Sequence, residues 1–164
     1  MLAYNVDDFQ GISVAIDLFD ELERLTAALD AAGIPYALAG GLALAVHGAP
    51  RATKDIDLLV LPEDVRQTME QARALGFVFE AMPTRFSDGM ELRRVTKISA
   101  GDALTVDLLL VGPLLETAWA SRQRIRAEPH DLWVISRDAL IAMKLAAGRP
   151  QDLADVQRLQ ELDR

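Results

Sequence analysis

Two short apolar runs, each interrupted by aspartate, constrain this chain more than any other feature: DIDLLV at 55–60 and TVDLLLV at 105–111. Both are rich in leucine, isoleucine and valine, which suits strands. Side chains alternate along a strand, so Asp55, Asp57 and Leu59 point one way while Ile56, Leu58 and Val60 point the other. The two carboxylates then project from one face about 7 Å apart along the backbone. Charges so placed repel each other unless a cation lies between them. A solvated outer face would need no cation, and for DID alone that alternative stands level. Asp107 tips the balance, because it interrupts its own strand on the face shared with Thr105 and Leu109. Three carboxylates from two neighbouring strands could then meet at one point.

Such an all-oxygen cluster suits Mg²⁺ or Mn²⁺, which take hard ligands and keep water or phosphate in their remaining positions. The chain has no cysteine, which excludes disulfides, thiolate zinc sites and a cysteine nucleophile. Upstream, Ile34 to Ala39 is short and apolar, Gly40-Gly41 breaks it, and Leu42 to Val46 reads as a brief helix ending at Gly48. Glycines between a strand and a helix let backbone N–H groups approach a phosphate, although for a lone pair a plain tight turn is the favoured reading.

Around this centre the spacing predicts helices over Ser13 to Ala32, with Ser13 as cap, over Glu63 to Leu75, Ser136 to Ala147 and Gln151 to Leu162, and a short one ending near Ser121. Further strands are expected at Phe77 to Ala81, Glu91 to Ser99 and Ala103 to Val111, and as a pair around Ile125 and Val134. At 164 residues, 51% of them hydrophobic, with no repeat or linker, the expectation is one domain over 1–164. Its fold class is α+β, a two-layer mixed sheet flanked by helices. Trp119, Trp133, Phe19, Phe77 and Phe79 read as core. Arg93, Arg94 and Lys97, with Arg85, read as a solvated edge strand. His47 and His130 read as structural, without a metal-ligand companion.

Taken together, ALAGGLALAVHGAPRATKDIDLLV and the later TVDLLLV resemble the DNA polymerase β-like nucleotidyltransferase superfamily. That family shows a glycine turn, a spacer, an Asp-x-Asp strand and a third acid on a neighbouring strand. Arg51, Thr53 and Lys54 before DID look like the R-x-T-x-D-x-D form of the AbiEii-like toxins and related minimal nucleotidyltransferases, and Lys144, Arg149, Asp152 and Asp155 resemble their later motifs. The resemblance implies that Asp55, Asp57 and Asp107 are the catalytic metal ligands. It also implies that Gly40, Gly41, Arg51, Lys54 and Lys144 contact a nucleoside triphosphate. Many members place Ser after the first glycine, where this chain has Gly41, which shifts the expected triphosphate contact towards Arg51 or Lys144.

From the residues alone, Lys144 stands evenly between a triphosphate contact and a solvated lysine. Arg149, Asp152 and Asp155 read as a surface ion-pair group at a helix start, with support of Lys144 as the alternative. The expected function is Mg²⁺-dependent transfer of a nucleotide to a hydroxyl on RNA, a protein or a small molecule, as the toxin half of a toxin–antitoxin pair in one version. An inactive binding module of the same fold is the alternative. With 17 basic and 25 acidic side chains, the formal charge of −8 argues against non-specific nucleic-acid binding. No apolar stretch reaches the roughly 18 residues that span a bilayer, and Asp7 and Asp8 stand where a signal peptide would carry Lys or Arg, so a soluble cytoplasmic protein is expected.

Overall fold

The computed structural model describes residues 16–162. Helix α1 (Leu18–Ala31) leads into strand β1 (Tyr36–Ala39), helix α2 (Gly40–Val46) and strand β2 (Asp55–Val60). A 3-10 turn at Pro62–Asp64 opens α3 (Val65–Ala74), and the short strands β3 (Phe79–Glu80) and β4 (Thr84–Arg85) precede the long hairpin of β5 (Glu91–Ser99) and β6 (Asp102–Leu110). Helix α4 (Glu116–Ala120), strands β7 (Gln123–Ile125) and β8 (Leu132–Val134), and helices α5 (Arg137–Ala147) and α6 (Pro150–Glu161) complete the chain.

The expected mixed sheet is present, in the order β3-β5-β6-β2-β1-β8-β7 with β4 also on β5. β2 runs parallel to β6 and β1 parallel to β8, while the other pairings are antiparallel. Alternation gives the sheet two unlike faces. Ile56, Leu58, Val95, Val106 and Leu108 are buried on one of them. Helix α1 lies on this face, where Glu21 meets Lys97 at 2.5 Å, and α3 packs beside it. On the other face α2 packs on β1, β2 and α5, with α6 behind α5, while Arg94 of β5 is exposed.

Several boundaries differ from expectation. Asp17 caps α1, its carboxylate accepting from the Phe19 and Asp20 amides; Ser13 lies outside the described residues. Gly40 and Gly41 are themselves the first turn of α2 rather than a turn ahead of it. Strand β5 is not an edge, because β6 pairs on one side and β3 and β4 on the other. Its basic residues therefore do not guard an open edge: Lys97 and Arg93 share one face, and Arg94 the other.

Trp119 and Trp133 are partly buried against the core, and Arg122 stacks over both rings at 4.0 and 5.8 Å, a basic partner the linear sequence does not show. Phe77 is buried as expected, but Phe79 is 55% exposed on the two-residue strand β3 at the end of the sheet. Among the described residues no helix is long and apolar enough to cross a membrane.

Leu58 is wholly buried in the middle of β2. Leu58→Ala should lower unfolding free energy by about 2–5 kcal/mol, read as a shift of the urea midpoint with little change in slope.

Candidate active site

The parallel register of β2 and β6 sets Asp57 directly beside Asp107, and Asp55 beside Thr105. One strand to each side, Ala39 of β1 lies against Asp57 and Arg94 of β5 against Asp107. A single row of Ala39, Asp57, Asp107 and Arg94 thus crosses four strands. At Ala39 the chain turns into α2, which brings the glycines to the carboxylates.

Gly40 has φ +63°, and a Cβ placed there would lie 2.1 Å from Asp57 Oδ2. A Cβ at Gly41 would lie 2.8 Å from Thr53 Oγ1. Glycine is required at Gly40 twice over, by a left-handed backbone and by a carboxylate where any other residue has its side chain. The first turn of α2 is consequently pressed onto Asp57 and onto the segment leading into β2.

The acids carry more negative charge than their surroundings offset. Burial, then repulsion from Asp107 and Asp55, pushes the Asp57 carboxyl up to about 7, with Lys144 and Arg149 working against the rise. Asp55 is pushed up by burial and by Asp107, with Arg94 opposing. Carboxylates disfavoured in their charged form this way are chemically suited to a hard cation, which would relieve both the repulsion and the lost hydration. Asp55 and Asp57 fit that need through their oxygen donors.

Asp107 is placed on the expected face but is already engaged. Arg94 donates from Nε to Oδ1 at 2.7 Å and from Nη2 to Oδ2 at 2.8 Å. Among the described residues no three carboxylate or imidazole groups are drawn together closely enough to enclose a metal ion. The bonds to Asp107, with attraction from Asp55 and Asp57, hold the Arg94 guanidinium firmly charged. Arg94 is the residue that reading the sequence missed. The signal was available: it stands as far before the Ala100–Gly101 turn as Asp107 stands after it, so a tight hairpin had to pair them.

A second charged group forms where α5 meets α6. Lys144 is 5% exposed and gives its ammonium to Asp155 Oδ2 at 2.6 Å, with Asp152 Oδ1 at 3.7 Å. Arg51 bonds Asp155 through Nε at 2.8 Å and Nη2 at 2.9 Å. Arg149 bonds Asp152 through Nε at 2.6 Å. Burial alone would raise the Asp155 carboxyl, yet the bonds from Arg51 and Lys144 hold it below its ordinary value.

This decides against the solvated alternative for Lys144 and corrects one expectation: Asp152 and Asp155 are not surface ion-pair residues, being 2% and 1% exposed. They brace Lys144 and Arg51 from behind, and Lys144 and Arg149 reach Asp57 through their charge. The helix-start reading placed the aspartates correctly on the chain but could not see that α6 packs this turn against α5. Lys54 is exposed immediately before β2. His47 closes α2 onto the segment after β8 through the Ile135 carbonyl at 2.8 Å, and His130 pairs with Thr26 at 2.7 Å, so both are structural.

A family model described as "Nucleotidyltransferase of unknown function (DUF6036)" matches residues 15–163. No curated protein matches the sequence. Among solved structures, the fold is similar to that of the lincosamide antibiotic adenylyltransferase LnuA, lincomycin-bound, at 12% identity and TM-score 0.61 over 86% of this chain and 95% of that one. A putative nucleotidyltransferase from Thermotoga maritima matches at 16% identity and TM-score 0.60, covering 89% of this chain and 93% of that one. ANT(2'')-Ia in complex with adenylyl-2''-tobramycin matches at 16% identity and TM-score 0.58, covering 84% of each chain.

Two expected outcomes follow from this geometry. Asp57 titrates at about 7 in the folded protein against 3.8 ordinarily, so between those values the folded state binds more protons and loses stability as pH rises. Asp57→Asn should therefore be more stable than the parent at pH 8 without metal, by about 1–3 kcal/mol, and the two should converge at pH 4 in urea titrations. Gly40→Ala should cost about 1–2 kcal/mol from its left-handed backbone alone, and calorimetry should show weakened nucleotide binding because the new methyl displaces Asp57.

Proposed function

The chain belongs to the nucleotidyltransferase family that this model describes, and from that premise we propose that it moves a nucleotidyl group from a nucleoside triphosphate to a hydroxyl acceptor at the Asp55, Asp57 and Asp107 row. The observation that carries the reading is the cross-strand register of Asp57 with Asp107, with the Gly40 turn seated against Asp57. A triphosphate lying along the first turn of α2 would place its phosphates beside the carboxylates, within the field of Lys144 and Arg149.

Asp55 and Asp57 are the residues suited to hold Mg²⁺ or Mn²⁺, with Asp107 completing the set. Bound there, the ion would neutralise charge on the attacking and leaving oxygens. The acceptor oxygen forms a bond to the α-phosphorus, the bond to the bridging oxygen of the departing pyrophosphate breaks, and the acceptor proton passes to Asp107 or to water. Lys144 is fixed by Asp155 and Asp152, so its contribution is a positioned charge rather than a mobile hand.

For the acceptor, two lines of support differ. Likeness in fold to adenylyltransferases of antibiotics supports a small hydroxylated molecule. The Lys144, Arg149, Asp152 and Asp155 set supports the AbiEii-like version, a toxin acting on RNA or protein and restrained by an antitoxin partner. A second function, nucleotide binding without turnover, draws support from Arg94 on Asp107 and from the commitment of Arg51 and Lys144 to Asp155.

Incubation with labelled nucleoside triphosphates, Mg²⁺ and a cell extract distinguishes these outcomes by where the label goes. Asp57→Asn should reduce labelling at least about 100-fold with an unchanged circular dichroism spectrum. Nucleotide binding with no pyrophosphate released would support the non-catalytic module, and equal labelling by parent and variant would defeat the enzymatic one.

A further inference from the structure

We propose that Arg94 is a resident counter-cation that closes the acidic row to metal in the nucleotide-free protein, and that loading metal at Asp107 requires its guanidinium to leave. This rests on the metal-binding reading of the row given above.

The fork of Arg94 engages both oxygens of the Asp107 carboxylate, at 2.7 and 2.8 Å, in the planar bidentate geometry that guanidinium and carboxylate favour. A divalent ion on either oxygen would stand directly beside the guanidinium charge, which repels it. The two cations are therefore alternatives at Asp107.

The row requires one of them. Asp107 is only 7% exposed and shares its face with Asp55 and Asp57, both of which its charge repels, so without a partner the negative charge on this face would stand unbalanced. Arg94 supplies the partner from the next strand, where the hairpin register places it.

Arg94 is also built to depart. Its side chain is 48% exposed, against 19% for Arg51, whose guanidinium bonds both Asp155 and the Ala52 carbonyl. Among the described residues the bonds of Arg94 go to Asp107 alone, on the sheet face opposite α1. A rotation about its long side chain would return the guanidinium to water without disturbing a strand.

The consequence is ordered loading. Metal alone must displace Arg94 without compensation, whereas a nucleotide brings negative charge that favours the divalent ion and offers the freed guanidinium an anion. By linkage, nucleotide and metal each raise the other's affinity.

Titration of Mn²⁺ by paramagnetic resonance, without nucleotide and then with a non-hydrolysable triphosphate, tests this. Without nucleotide, Arg94→Gln should bind Mn²⁺ at least about 10-fold more tightly than the parent. Arg94→Lys, which keeps the charge but loses the fork, should fall between, and it preserves the test should the glutamine variant fold poorly. Adding Asp107→Asn to Arg94→Gln should remove the gain, and nucleotide should tighten Mn²⁺ more in the parent than in Arg94→Gln. Equal or weaker Mn²⁺ binding by both Arg94 variants overturns the inference, as does a gain that survives Asp107→Asn. Nucleotide-dependent Mn²⁺ binding by the parent in those cases leaves the metal reading standing, whereas Mn²⁺ bound by no variant under any condition overturns both.

Discussion

The parallel register between β2 and β6 is the constraint on which the site depends. A slip of one residue would turn Asp107 to the α1 side of the sheet and bring Val106 or Leu108 beside Asp57. Hydrophobic burial enforces the register: Ile56 and Leu58 lie beside Val106 and Leu108 with no exposed surface on any of the four. The same pleat that buries these leucines delivers the carboxylates to the opposite face. Core formation and site assembly are thus one event, which is why a charged row can be held in a strand otherwise suited to an interior.

Charge balance then decides the rest of the arrangement. The row of acids is offset on one side by Arg94 and at longer range by Lys144 and Arg149. Those two are in turn held by Asp152 and Asp155, so each cation near Asp57 has its own anion behind it. Breaking one member of such a buried group leaves its partner uncompensated and costs more than the pair contributes. Arg51 ties the group to the segment entering β2 and so joins α6 to the strand that carries Asp55 and Asp57.

The sheet, its central strands and every helix longer than one turn were legible, because their apolar periodicity is strong and their ends carry turn residues. The face alternation of Asp55 and Asp57 and the partner strand of Asp107 were legible for the same reason. What stayed hidden depends on pairing between distant elements. Asp152 and Asp155 looked like surface residues, and Lys144 stood undecided, because α5 and α6 each carry charge on the side where they meet and amphipathic reading assigns charge to solvent. Phe79 looked like core because hydrophobicity does not reveal that its strand stops after two residues. Arg94 was hidden differently: an antiparallel meander puts its strand beside the strand of Asp107, as observed, but reading its basic residues as a solvated edge left no partner for the guanidinium.

The net charge of −8 looks unfavourable for a protein that would receive a polyphosphate, yet local distribution resolves the difficulty. A ligand approaching Asp57 would meet the field of Lys144 and Arg149, which already acts on that carboxyl, and Arg94 beside Asp107. The remaining acids act mainly at long range, where screening is effective and where they oppose adsorption of long polyanions. Net repulsion at long range and cations close to the acidic row are therefore compatible, and under the proposed function the second would receive a short phosphate chain with its metal. The excess negative charge in the row fits that arrangement, since it favours an anion that arrives already paired with a divalent ion over one that arrives bare.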